Sequence, residues 1–237
     1  AITVGEGRNV TDPSGTEPGV LLAGRPWTLH SNQDYCYWPS RNVLFLCTGS
    51  GVWFYHLDTR TWELRATEQQ HGRDWRATGG AIFCDETRDR ILLVVKQGQV
   101  SARGVYLWND DTLHWDALVS TVPTLQERLY GAYDSFRDMY YLLSYDKDLK
   151  ELWEINLATL AWRLVAGTPA LLEDRWTGIA FDRRNRVLAL LHSPIDGVAS
   201  FADRDGQVWV ATPSADASWT WTAKATDGNN DDLYWSV

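Results

Sequence analysis

The segment His56-Leu57-Asp58-Thr59-Arg60-Thr61-Trp62 is matched by Asn109-Asp110-Asp111-Thr112-Leu113-His114-Trp115 and by Asn156-Leu157-Ala158-Thr159-Leu160-Ala161-Trp162. In each, Thr stands three residues before Trp and a polar residue six before it. Each follows a short apolar run: Val52 to Tyr55, Val105 to Trp108, and Leu152 to Ile155. A strand–turn–Trp unit that recurs along a chain is the signature of a repeat architecture, and it constrains the fold more than any other feature.

Around these markers lie further short runs. The first copy reads Tyr35 to Trp38, turn, Val43 to Cys47, turn, Val52 to Tyr55, turn, Trp62 to Thr67. Runs this short, bounded by Gly, Asn, Asp and Pro, read as a four-stranded antiparallel meander. Two more copies follow, with first strands at 81–84 and 131–133. A fourth runs 178–181, 187–191, 208–211 and 219–225. No amphipathic helix stands out, although Leu125 to Leu129 has room for one turn.

The C-terminal segment 232–237 resembles only the first strand of a copy. The N-terminus offers the rest: 1–4, 20–23 and 27–30, with Arg25-Pro26 as a turn. The repeat-marking residues become Trp27, Trp62, Trp115, Trp162 and Trp221. Five copies in 237 residues average about 47, a blade length for propellers. The expected fold is therefore all-β: a five-bladed β-propeller of four-stranded antiparallel blades, closed by pairing of N- and C-terminal strands. It would be a single domain, 1–237, with blades at about 33–67, 76–119, 128–166 and 175–225. The closing blade would combine 232–237 with 1–31. Face-to-face packing gives small sheets a shared core, and a closed ring leaves few bare sheet edges.

Three stretches precede central copies: Arg76-Ala77-Thr78-Gly79-Gly80, Arg128-Leu129-Tyr130-Gly131-Ala132 and Arg175-Trp176-Thr177-Gly178-Ile179. Arg, Gly three residues later, an apolar strand and a closing Thr-x-x-Trp together resemble a kelch-type repeat over residues 33–225. The double glycine that usually ends the second kelch strand is absent, and Thr48-Gly49 is the nearest approach. The resemblance implies a protein-interaction module.

In a propeller the residues just before each first strand sit at one mouth of the central channel. Arg76, Arg128 and Arg175 fall there, with Trp75, Tyr130 and Trp176 beside them, Gln33 and Asp232 at corresponding places and Asp34 near the same mouth. Three guanidinium forks suit carboxylate recognition, and aromatic faces suit peptide side chains or sugar rings. The same Arg residues would serve a purely structural role if Asp74, Glu127 and Asp174 pair with them and pin the loops.

Net charge is −9, from 31 acidic against 22 basic residues, which disfavours nucleic acid or an anionic membrane as partner. The three cysteines, Cys36, Cys47 and Cys84, lie in apolar runs and read as buried free thiols, in keeping with a reducing compartment. A cytoplasmic location is the favoured expectation, and a leader removed before Ala1 would still allow secretion. The five histidines lack metal-ligand spacing, and no nucleophile-elbow or phosphate-loop motif occurs. The acidic stretches Asp203 to Gly206 and Asp227 to Asp232 space oxygens as calcium loops do, yet neither completes such a loop. No cofactor, metal or catalytic residue is assigned. The expected function is non-catalytic recognition of a protein or peptide, acidic in character. A lectin-like glycan binder is the alternative, and a glycosidase, which needs two carboxylates across a cleft, is a third reading.

Overall fold

The computed structural model describes residues 20–21, 25–26, 35–48, 51–67, 80–96, 103–125, 128–145, 150–166, 176–193, 207–215 and 219–226. Val20–Leu21 (β1) and Arg25–Pro26 (β2) form a two-stranded hairpin. Four antiparallel meanders follow. Sheet A is Tyr35–Trp38 (β3), Val43–Thr48 (β4), Gly51–His56 (β5) and Thr61–Thr67 (β6). Sheet B is Gly80–Asp85 (β7), Arg90–Val95 (β8), Gly104–Asn109 (β9) and His114–Val119 (β10). Sheet C is Arg128–Asp134 (β11), Met139–Tyr145 (β12), Lys150–Asn156 (β13) and Trp162–Leu164 (β14). Sheet D is Trp176–Asp182 (β15), Val187–Ser193 (β16), Gln207–Ala211 (β17) and Trp221–Thr226 (β18).

The turns at one end of sheets B, C and D share one device. Asn109 Oδ1 accepts from the N–H groups of Asp111 and Thr112, both at 3.1 Å. Asn156 Oδ1 does the same for Ala158 and Thr159 at 3.0 Å. Asp134 and Asp182 cap the first turns of sheets C and D in this way. In sheets B and C the polar residue six before Trp is thus a turn cap. The backbone is left-handed at one residue of each such turn, in sheet A as well: Asn42, Arg60, Asp89, Leu113, Asp138, Leu160 and Arg186 have φ between 49° and 58°. A leucine in that conformation costs about 1 kcal/mol. Leu113 and Leu160 offset this by packing against the core.

The first strands are the innermost. β3 neighbours β7, β7 neighbours β11, and β11 neighbours β15, so the sheets fan around an axis. Each seam between neighbours has its own core. Between A and B, Phe45 meets Trp108 and Trp115 edge-on at 5.6 and 5.8 Å. Between B and C, Phe83 stacks flat on Tyr140 at 3.6 Å. Between C and D, Tyr141 meets Trp219 edge-on at 5.1 Å. The Trp placed at the start of the fourth strand therefore packs between sheets in B, where Trp115 is buried. At the turn end, Arg183 of sheet D pairs with Glu86 of sheet B, which is not its neighbour, so this ion pair reaches across the axis.

The number of full sheets differs from the sequence expectation. Four four-stranded sheets are present among the described residues, not five, and the remaining paired strands are the β1–β2 hairpin. The pairing of Arg25–Pro26 with Val20–Leu21 also replaces the turn expected at Arg25-Pro26. A proline tolerates such a place because a two-stranded hairpin needs few ladder donors. Segments 1–4, 27–30 and 232–237 lie outside the described residues. Leu125 is in a coil, and Leu129 already belongs to β11. Cys47 and Cys84 are buried free thiols, while Cys36 is half-buried. Burial, reinforced by nearby Glu86, Asp89 and Asp85, pushes the Cys84 thiol up to about 12.

Candidate functional site

Antiparallel meanders put the first and third turns of every sheet at one end and the second turns and inter-sheet connections at the other. Of the residues expected at an Arg/aromatic mouth, Arg128 and Trp176 lie at the connection end. Arg128 and Trp176 are the first residues of β11 and β15, paired opposite Tyr145 and Ser193. They lie within the strands instead of before them, because ladder pairing does not depend on side-chain polarity. Since β11 and β15 are neighbours, the two positions come together on one rim. Tyr130 is half-buried and packs against the core between C and D. Arg76, Arg175, Trp75, Asp34 and Asp232 lie outside the described residues, as do Asp74, Glu127, Asp174 and the acidic stretches 203–206 and 227–232.

The glycine of the Arg-x-x-Gly motif has a packing reason. A Cβ on Gly131 would fall 2.2 Å from the Tyr140 ring. That ring is buried and stacked on Phe83, so it cannot give way.

The turn end carries a chain of charged contacts across the seams. Asp110 of sheet B accepts from Arg41 Nη1 at 2.5 Å and from Arg65 Nε at 2.9 Å, both in sheet A, and from Trp108 Nε1 at 3.2 Å. Burial opposes ionisation of Asp110, yet these donors outweigh it and hold its carboxyl at about 2. Between B and C, Arg88 grips Asp138 through two bonds of 2.9 and 2.6 Å. Asp85, fully buried, is held by Arg88 and Arg90, and Arg90 also reaches the Leu157 carbonyl at 2.8 Å.

The seam between C and D is different. Glu154 is 1% exposed and paired with Arg163, whose Nε is 2.6 Å away and whose Nη1 also donates to the Ala215 carbonyl. Burial raises the Glu154 carboxyl despite this partner. A cavity of about 700 Å³ lies beside the pair, lined by Arg137, Met139, Glu154, Arg163, Ser214 and Ala215 among others. The Arg137 guanidinium makes no hydrogen bond or ion pair among the described residues. Arg186 of sheet D lies 4.4 Å over the Phe136 ring of sheet C. Glu154, Arg163 and Arg137 were not singled out from the sequence. The signal was there, since Glu154 is a charge inside the apolar run Leu152-Trp153-Glu154-Ile155 and strand register puts it opposite Arg163. Among the described residues no cluster of three His, Cys, Asp or Glu side chains gathers to hold a metal ion.

No family model matches this chain, and no curated protein matches it. Solved structures do resemble it. The chain superposes on a GH74 xyloglucanase from Xanthomonas campestris with a TM-score of 0.52 and 17% identity, over 80% of this chain and 29% of that one. A nidogen/laminin complex gives a TM-score of 0.52 and 11% identity, over 79% of this chain and 62% of that one. The chain thus spans less than two thirds of the length of either neighbour. Together with the fan of meanders, these likenesses define an all-β, propeller-type fold.

Proposed function

We propose that this chain is a non-catalytic binding module that recognises an acidic protein or peptide segment on the connection-end mouth of a five-bladed, kelch-like ring. The observation that carries the reading is the placement of Arg128 and Trp176 as the first residues of neighbouring innermost strands. Arg and an aromatic residue brought to one rim are suitable residue types to receive a carboxylate-bearing peptide. Arg76, Arg175 and Trp75 extend the same pattern in the sequence, and Asp34 and Asp232 would set its edges.

The fifth blade would come from the chain ends. Its support is the face of sheet A turned away from sheet B, where Tyr35 and Tyr37 on β3 are 54% and 44% exposed. The β1–β2 hairpin contacts this sheet through β2 and β6. Closure by segment 232–237 would cover such a face and remove a bare edge. Deleting 232–237 should then lower the melting temperature cooperatively, whereas an unchanged melting curve would count against the closed ring.

For the function, an acidic-peptide panel and a glycan array are read with Arg76→Ala, Arg128→Ala and Arg175→Ala. Acidic-peptide binding that falls at least tenfold in these variants supports the reading. Peptide binding that survives all three contradicts it, and sugar binding indifferent to them transfers the function to a lectin.

A further inference from the structure

The seams at the turn end follow one rule with one exception. The residue just before the left-handed position of the first turn is Arg41 in sheet A, Arg88 in B and Arg137 in C. Arg41 and Arg88 each reach into the next sheet and find a carboxylate, Asp110 and Asp138 respectively. Arg137 has the same place in its turn but makes no hydrogen bond or ion pair among the described residues; its electrostatic neighbour is Glu154, which is already held by Arg163. The position in sheet D that corresponds to Asp138 holds Arg186, a like charge. Arg186 does come to sheet C, but its guanidinium lies over Phe136.

A second substitution accompanies the first. On the sheet face turned to the next sheet, strand pairing matches Glu154 in C with Phe54 in A and Leu107 in B. Where Phe54 and Leu107 are apolar residues packed into their seam cores, the C/D seam has the buried Glu154 carboxylate, paired with the partly exposed Arg163, beside a cavity of about 700 Å³. That volume is within the range of small-molecule sites.

We propose that the C/D seam is a binding site for a small organic carboxylate. The ligand's carboxylate takes on Arg137 the place that Asp138 takes on Arg88, and its apolar body lies against Met139. The planar guanidinium fork matches a carboxylate in two parallel bonds. Glu154, although paired, lines the same cavity and works against doubly charged anions such as phosphate. A singly charged ligand with an apolar body fits both conditions.

The full chain is titrated with phenylacetate, with 2-phenylethanol as its uncharged counterpart and with inorganic phosphate as a plain anion, by calorimetry and amide chemical-shift perturbation. Phenylacetate should saturate and perturb residues of β12, β13 and the 135–138 turn. 2-Phenylethanol should bind at least tenfold more weakly, and phosphate weaker still. Arg137→Ala should cut phenylacetate affinity at least tenfold without changing the melting temperature. Arg186→Asp restores the acid found at the B/C seam, so Arg137 becomes occupied internally and phenylacetate binding disappears while the fold is kept. Asp216 lies outside the described residues, and Asp216→Asn checks it as an internal competitor: affinity should stay within twofold. The proposal is overturned if phenylacetate does not saturate, if either arginine variant binds it as wild type does, if phosphate binds as tightly, or if Asp216→Asn raises affinity tenfold.

Discussion

The seams on the two sides of sheet C use the same turn geometry and reach opposite results. Toward sheet B, Phe83 stacks on Tyr140, Arg88 grips Asp138, and Arg90 ties Asp85 to the Leu157 carbonyl. Among the described residues, the buried Asp85 and the turn residues Arg88, Arg90 and Asp138 of this seam all have charged partners. Toward sheet D, the left-handed residue is Arg186 where the other turn has Asp138, and Arg137 stands beside a cavity with no hydrogen bond or ion pair among the described residues, its nearby carboxylate, Glu154, being held by Arg163. The comparison teaches that the backbone repeat sets where the seams lie, while single charges decide whether each seam is closed or receptive.

The largest effect is expected from breaking the ion pair that holds the buried Glu154. Arg163→Met leaves the Glu154 carboxylate, 1% exposed, without its paired cation; since Arg163 is 42% exposed and Arg137 remains nearby, the cost should be about 2–3 kcal/mol at neutral pH. Denaturant unfolding checks this. The folded Glu154 carboxyl is already raised by burial, so folding takes up a proton more readily as pH falls. The loss in the variant should accordingly shrink as pH falls below neutral. The double variant with Glu154→Met should recover most of it.

The filled seam is tested by Gly131→Ala. Its new Cβ would overlap the trapped Tyr140 ring, and overpacking of this kind costs about 2 kcal/mol. A melting temperature within a degree of wild type would mean that the Phe83–Tyr140 stack yields easily.

A smaller effect belongs to the A/B seam. The Asp110 carboxyl is held at about 2 when folded, below its unfolded value near 3.9. Its stabilising contribution is therefore complete above about pH 4 and is lost as pH falls from about 4 through 2. Screening by solvent at the partly exposed Arg41 limits it to about 1 kcal/mol. In Asp110→Asn, that portion of the acid sensitivity should vanish from a pH series of unfolding curves. The smallest effect is a gain: Arg186→Asp should stabilise the chain by about 0.5 kcal/mol, since exposed ion pairs are worth little, and the gain should decline in high salt.

Much of the fold was legible because its signals are local. The turn caps Asn109 and Asn156, and the Trp markers that follow them, lie within seven residues of each other and repeat at blade spacing. Strand starts were less legible, as with Arg128 in β11, because the hydrogen-bond ladder extends beyond the apolar run. The hairpin of Arg25–Pro26 escaped for a related reason, since proline at a sheet edge carries turn chemistry in its sequence but not in its pairing. Contacts such as Arg41–Asp110 and Arg88–Asp138 could not be read at all. They join residues 69 and 50 apart, and only the angle between neighbouring sheets brings them together. The candidate site divides in the same way: Arg128 and Trp176 follow from a motif, whereas Arg137 becomes meaningful only beside the paired Arg88.

A double-mutant cycle between positions 137 and 186 tests the account most directly. Arg137→Ala is measured in the wild-type and the Arg186→Asp backgrounds, with Arg88→Ala and Asp138→Ala as the reference cycle. The account predicts that Arg137 couples favourably to Asp at position 186, by as much as Arg88 does to Asp138, and not to the native Arg186. Absence of coupling in the Arg186→Asp background, beside a clear coupling in the reference cycle, would contradict the claim that this one charge keeps the C/D seam receptive.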